Sequence, residues 1–181
     1  MLIEGLPLTQ DQAAAATEEI MSGNATESQI GAFLATLRLK GESMDEIIGI
    51  ARVMRSKSLH VPMEVKTVEL VGTGGDGMST FNISTAASLV TAAAGLNVAK
   101  HGNRAASGKM GAADILEAEG VKLELSPESV KRCIEEVGFG FMFAPSFHPA
   151  MRFAASTRRE LGVRTVFNLV GPLTNLSLIH I

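Results

Sequence analysis

The sequence predicts an α/β protein in two parts. A small N-terminal all-helical domain occupies residues 1–62, and an α/β domain with a mainly parallel sheet occupies 67–181. Three observations carry this reading. The first sixty residues show only helical periodicity. Beyond a proline-broken connector, short apolar runs alternate with helical patterns, the signature of a parallel sheet. Glycines then punctuate the junctions where runs and helices meet.

Each element has a local reason. Thr9 with Gln12, Thr26 with Gln29 and Ser43 with Glu46 have the spacing of reciprocal helix caps. Behind the second cap, Ile30, Phe33, Leu34 and Leu37 follow i, i+3, i+4, i+7; behind the third, Met44, Ile47, Ile48 and Ala51 do the same. Gly23 and Gly41 stand where helix-ending glycines belong. Three short helices leave apolar stripes that need another surface. The connector runs from His60 to Lys66 around Pro62. TVELV (67–71), NVAKH (97–101), VKLEL (121–125) and FGFMF (139–143) then read as strands. Between and after them, 84–95, 111–120, 127–138 and 148–161 read as helices, the third opened by Ser126 and Pro127.

Composition narrows the function. Of 181 residues, 46% are hydrophobic, and mean hydropathy is +0.23, enough for a core. Sixteen Lys+Arg against nineteen Asp+Glu give a net charge of -3, which argues against a nucleic-acid partner. Cys133 is the only cysteine, so an internal disulfide and a cysteine-cluster zinc site are excluded. No apolar run reaches membrane-spanning length, and Glu4 and Pro7 do not suit a signal peptide. The expectation is a soluble, cytoplasmic protein with no membrane partner.

Three segments carry chemistry. VGTGGDGMSTFNIST (71–85) is a strand, a glycine-rich loop and a helix start. Gly72, Gly74 and Gly77 match a dinucleotide fingerprint, but MSTFNIS separates the last glycine from the helix, and the next strand ends in Lys100 and His101 rather than an acid. Consecutive glycines instead let backbone N–H groups converge on an anion, with the Ser84 and Thr85 hydroxyls at a helix N-terminus. In the second segment, Lys100, His101, Asn103, Arg104, Ser107 and Lys109 crowd a strand's C-terminal end, where open α/β sheets bind ligands. Asp114, Glu117 and Glu119 on the helix that follows face solvent or cap it. The third, 141–165, holds Met142, Phe143, Phe147 and Met151, which serve as core or as an apolar wall, followed by His148, Arg158 and Arg159. An arginine there can grip a carboxylate with its fork. No nucleophile triad is visible. The residues point to a site for a phosphorylated small molecule.

GTGGDG (72–77), NIST (82–85), KHGNRAAS (100–107), GAADILEAEG (111–120), FAPSFHPAM (143–151) and RRELGVRTVFNLVGPLTN (158–175) resemble the anthranilate phosphoribosyltransferase family. The first two motifs are shared with class II pyrimidine nucleoside phosphorylases; the last two are more specific to the anthranilate family. The resemblance implies transfer of the phosphoribosyl group of 5-phosphoribosyl 1-diphosphate to the amino nitrogen of anthranilate in tryptophan synthesis. It further implies Mg2+ as cofactor and a homodimer formed through the helical domain. Carried over by motif, Gly72, Gly74, Gly75, Asp76, Gly77, Thr80, Asn82, Ser84, Thr85, Lys100 and Ser107 would bind the diphosphate donor, with Ser84 a metal ligand. Gly72, His101, Asn103, Met142, Pro145, His148 and Arg158 would form the anthranilate site, Arg158 through the carboxylate. His101 could take the departing proton, and no residue is a certain catalyst.

Three departures accompany the resemblance. Gly108 replaces a second serine, and Leu176 to Ile181 follow no family pattern. The acidic pair that carries most of the family's magnesium binding is not in this stretch. The expectation is an N-terminal half of the enzyme, its α/β domain incomplete at the C-terminus, inactive alone. A pyrimidine nucleoside phosphorylase and a non-catalytic nucleic-acid-binding relative are the alternatives; the segment 143–175 opposes the first and the negative net charge the second.

Overall fold

The computed structural model describes residues 1–71, 81–105 and 110–174. In chain order the elements are α1 (Gln10–Met21), α2 (Glu27–Lys40), α3 (Met44–Ser56), α4 (Ile83–Ala93), β1 (Val98–Gly102), α5 (Ala112–Ala118), α6 (Pro127–Val137), β2 (Phe139–Phe143), α7 (Ala144–Phe147), α8 (Arg152–Leu161) and α9 (Val166–Leu169). They form two compact units. One comprises Met1–Ser58 with His148–Thr174, and the other Leu59–Phe147. The segment after Phe147 therefore packs with the helical module rather than with the strands that precede it in sequence.

In the helical unit all three caps form as their spacing requires. Thr9, Thr26 and Ser43 accept from the backbone N–H three residues on, and Gln12, Gln29 and Glu46 reach back to the cap N–H. Ile30, Leu34 and Leu37 of α2 are buried, and they share a core with Ala13, Ile20, Ile50, Ala154, Val166 and Phe167. On α3 the core takes only half of the expected stripe, with Ile47 and Ala51 packed against it. Glu46, Gly49, Ile50, Val53 and Met54 point inward, whereas Met44 and Ile48 are 72% and 42% exposed. Two residues set this rotation. A Cβ on Gly49 would strike the Gln10 carbonyl and lie 3.1 Å from Ala13 Cβ, so only glycine permits α3 to lie this close to α1. Glu46, without exposed surface, accepts from Leu8 N (2.9 Å), Ser43 N (2.7 Å) and Lys40 Nζ (2.8 Å). Burial raises its pKa, but these donors outweigh it and the carboxyl sits below its usual range.

In the α/β unit, β1 and β2 pair in parallel, with Val98 opposite Phe139 and Gly102 opposite Phe143. One side of the pair packs on Val61, Val130, Ile134 and Phe147, and the other on Ala112, Ala113, Leu116 and Leu123. The expected strand 67–71 is reduced to a single bridge, Val68 to Val98. The expected strand 121–125 is irregular. Its first N–H closes the end of α5 by donating to Leu116, and Leu123 alone is buried, as an anchor. Expected helix 148–161 begins as a 3-10 turn, Pro149–Met151, before α8, and the short α7 had no signal of its own. The helices read at 84–95, 111–120 and 127–138 form as Ile83–Ala93, Ala112–Ala118 and Pro127–Val137, each followed within two residues by a glycine of positive φ.

Candidate functional site

Asn82 caps α4. Its Oδ1 accepts from Thr85 N at 3.0 Å and from Ser84 Oγ at 3.1 Å, fixing both hydroxyl residues in the first helical turn. The first N–H groups of a helix lack partners inside it and favour an anion. Lys100 projects from β1 toward the same turn. Its side chain is fully buried, and Nζ donates to Leu70 O at 2.8 Å and to Ser84 Oγ at 3.4 Å. Burial pushes the Lys100 pKa down while nearby Glu69 opposes the fall. Thr85 Oγ1 is buried and has no hydrogen-bond partner among the described residues. A buried ammonium, a helix N-terminus and an unused hydroxyl thus meet at one corner, as an anion site requires.

Strand alternation separates the site residues by face. Lys100 shares a side of the sheet with Phe141, and His101 shares the other with Met142. Asn103 follows at the strand end, exposed, with its Oδ1 accepting from Arg104 N at 2.7 Å. Met142 has no exposed surface and packs among Val61, Ala99, Val130, Ile134 and Phe147. Its side chain belongs to the core. Pro145 on α7 is exposed.

Arg104 does not serve the anion corner. Its guanidinium binds Glu117 through two bonds of 2.6 and 2.8 Å and reaches Asp114 at 3.3 Å. Asp114 in turn accepts from Ala105 N and Gly111 N at 2.9 and 2.7 Å, so this carboxylate ties together the two ends of the loop. A Cβ on Gly111 would come within 2.5 Å of Arg104 C and 2.7 Å of Asn103 O. Glycine is needed there for the loop to close.

His148 and Arg158 belong to the helical unit. His148 is buried and precedes the Pro149–Met151 turn. Arg158 lies in the last turn of α8, its guanidinium 5.6 Å from the centre of the Phe167 ring. Burial lowers its pKa, and it forms no ion pair with a carboxylate among the described residues. A charge kept in that state is ready for a carboxylate brought by a ligand.

Gly72, Gly74, Gly75, Asp76, Gly77, Thr80 and Ser107 lie outside the described residues. Sequence reasoning missed Glu69 and Leu70, which bind His101 and Lys100. The available signal was an acid in the middle of an apolar run. For magnesium, the described residues contain no group of three His, Cys, Asp or Glu side chains able to hold a metal. Ser84 also places its hydroxyl beside an ammonium. This donor set does not fit a protein-built magnesium site.

Residues 1–58 match the helical bundle domain of a glycosyl transferase family, and residues 64–180 match that family's a/b domain. The chain belongs to this glycosyl transferase family. Among similar proteins is the anthranilate phosphoribosyltransferase of Dehalococcoides mccartyi, 58% identical over 174 residues, covering 96% of this chain and 51% of the relative. The crystal structure of anthranilate phosphoribosyltransferase from Thermus thermophilus aligns with a TM-score of 0.89 at 50% identity, covering 97% of this chain and 54% of that one. The Saccharomyces cerevisiae enzyme in complex with PRPP and Mg aligns at 0.84 and 30% identity, covering 92% and 50%. The chain spans about half the length of the curated relatives it matches. No helix among the described residues is long and apolar enough to cross a membrane.

Proposed function

We propose that this chain supplies the donor-binding part of an anthranilate phosphoribosyltransferase. The complete protein would transfer the phosphoribosyl group of 5-phosphoribosyl 1-diphosphate to the amino group of anthranilate, releasing diphosphate and N-(5-phosphoribosyl)anthranilate. The observation that carries the reading is the buried Lys100 ammonium beside Ser84 at the N-terminus of α4. Diphosphate departs as negative charge grows on it, and a preplaced cation and helix terminus stabilise that charge. Asn82 holds Ser84 and Thr85 in register; the motif assigns the glycines of 72–77, Asp76, Thr80 and Ser107 to the same donor.

The aniline nitrogen is already a nucleophile, so no covalent intermediate with the protein is required. Catalysis is positioning plus electrostatics. Arg158 would hold the anthranilate carboxylate; Asn103, Pro145 and His148 are the other residues assigned to the acceptor. His101 would receive the proton leaving the nitrogen. Magnesium would supply further neutralisation of the diphosphate, and the described residues alone build no site for it.

The reading also makes the protein a cytoplasmic enzyme with no nucleic-acid partner, working as a homodimer. Leu39, Met44 and Ile48, exposed on α2 and α3, support pairing through the helical unit. The test is anthranilate fluorescence in a protein extended to the length of its relatives, with donor and magnesium in excess. Loss of the signal with matching diphosphate release is expected. Phosphorolysis of thymidine without anthranilate turnover would instead establish a nucleoside phosphorylase.

A further inference from the structure

The pairing of residues 67–71 with β1 stops after Val68, and two charged side chains occupy backbone groups just beyond it. In a parallel ladder the bonds alternate regularly along both strands. Val68 N donates to Asn97 O at 2.9 Å, and Ala99 N donates to Val68 O at 3.1 Å. The series would continue with Leu70 N–H to the Ala99 carbonyl and then His101 N–H to the Leu70 carbonyl, and neither bond forms. Leu70 O accepts from Lys100 Nζ at 2.8 Å, and His101 N donates to Glu69 Oε1 at 3.1 Å. A carboxylate and an ammonium have taken the two ends of one ladder bond.

We infer that Glu69 is a positioning residue for the donor site: its carboxylate takes the His101 N–H, reserves the Leu70 carbonyl for Lys100, and so keeps the ammonium beside Ser84. The inference rests on the donor reading proposed above. A buried ammonium needs an acceptor at every stage. With no acceptor at position 69, His101 N–H would turn to Leu70 O and compete there with Lys100, drawing the ammonium off its seat. The sheet gains a bond while the anion corner loses its geometry. The change therefore falls on ligand affinity and leaves the fold in place. Glu69 touches no reacting atom in this scheme; it acts through Lys100.

The experiment is calorimetric titration with inorganic diphosphate, together with hydrogen exchange at His101, in a protein extended to the length of its relatives. Glu69→Ala is expected to bind diphosphate about tenfold more weakly, the scale of one misplaced charge-assisted bond. The His101 amide should stay protected, because Leu70 takes over its bond. Glu69→Gln keeps an acceptor and should recover affinity to within about threefold of the wild type. Should the alanine variant fail to fold, Glu69→Met, which fills the volume without an acceptor, takes its place. Undiminished diphosphate affinity in the folded Ala or Met variant would overturn the inference, as would loss of His101 protection, which marks a purely local structural bond. Lys100→Met separates the two levels. If diphosphate affinity survives that change, the donor reading itself fails, and the role of Glu69 fails with it.

Discussion

Single side chains here are placed by what their charges need. Arg158 is half-buried against Phe167 with no carboxylate beside it among the described residues. Removing a fork that grips a ligand carboxylate typically costs about 2–5 kcal/mol. Arg158→Ala, in a protein extended to the length of its relatives, is therefore expected to weaken anthranilate binding far more than donor binding. Steady-state titration of each substrate checks this, and equal damage to both Michaelis constants would count against the assignment. Glu46 is the opposite case, a buried carboxylate fully engaged by Leu8, Lys40 and Ser43. Glu46→Ala strands these donors and should destabilise the helical unit by about 3–5 kcal/mol in chemical denaturation. The folded pKa of Glu46 is depressed, so its stabilisation is present above the ordinary carboxylate range. It should be lost as pH falls through the folded value. A denaturation midpoint with the same acid dependence in wild type and Glu46→Gln would contradict that role.

At the level of elements, caps were the most legible feature and strands the least. Thr9, Thr26 and Ser43 act within one turn, so their spacing alone determined the helix starts. Thr26→Ala should cost about 1 kcal/mol, measured as a shift in thermal midpoint, and a neutral result would show that α2 is held by packing alone. The inward face of α3 was only half legible, because Gly49 against Gln10 and the contact of Glu46 with Leu8 are made by residues distant in sequence. The runs 67–71 and 121–125 had strand composition, yet long-range partners decided otherwise: the Glu69 and Lys100 contacts in one, and burial of Leu123 alone in the other. Of the anion corner, Ser84, Thr85 and Lys100 were legible from motif and strand-end position. Glu69 was not, since its role depends on which backbone group it meets. Gly111→Ala is expected to open the loop closed by Asp114, read out as faster proteolysis between 103 and 112, because the added carbon collides with Arg104 and Asn103 backbone. An unchanged cleavage rate would show that the loop can adjust.

For the whole molecule, the proposed assembly and activity follow from surfaces and charges that the chain leaves ready for partners. Met44 and Ile48 share an exposed face of α3, and Leu39 on α2 is 86% exposed. Ile48→Glu is expected to shift a protein extended to the length of its relatives from dimer to monomer, seen by light scattering. A dimer that persists would place the interface elsewhere. The most direct test of the central claim, that the α4 corner with Lys100 binds the diphosphate donor, is the donor dependence of anthranilate consumption in the extended protein. The account predicts turnover that saturates with 5-phosphoribosyl 1-diphosphate and a donor Michaelis constant raised at least about tenfold by Lys100→Met, as loss of a buried charge-assisted contact requires. Turnover with the same donor dependence in Lys100→Met would contradict it.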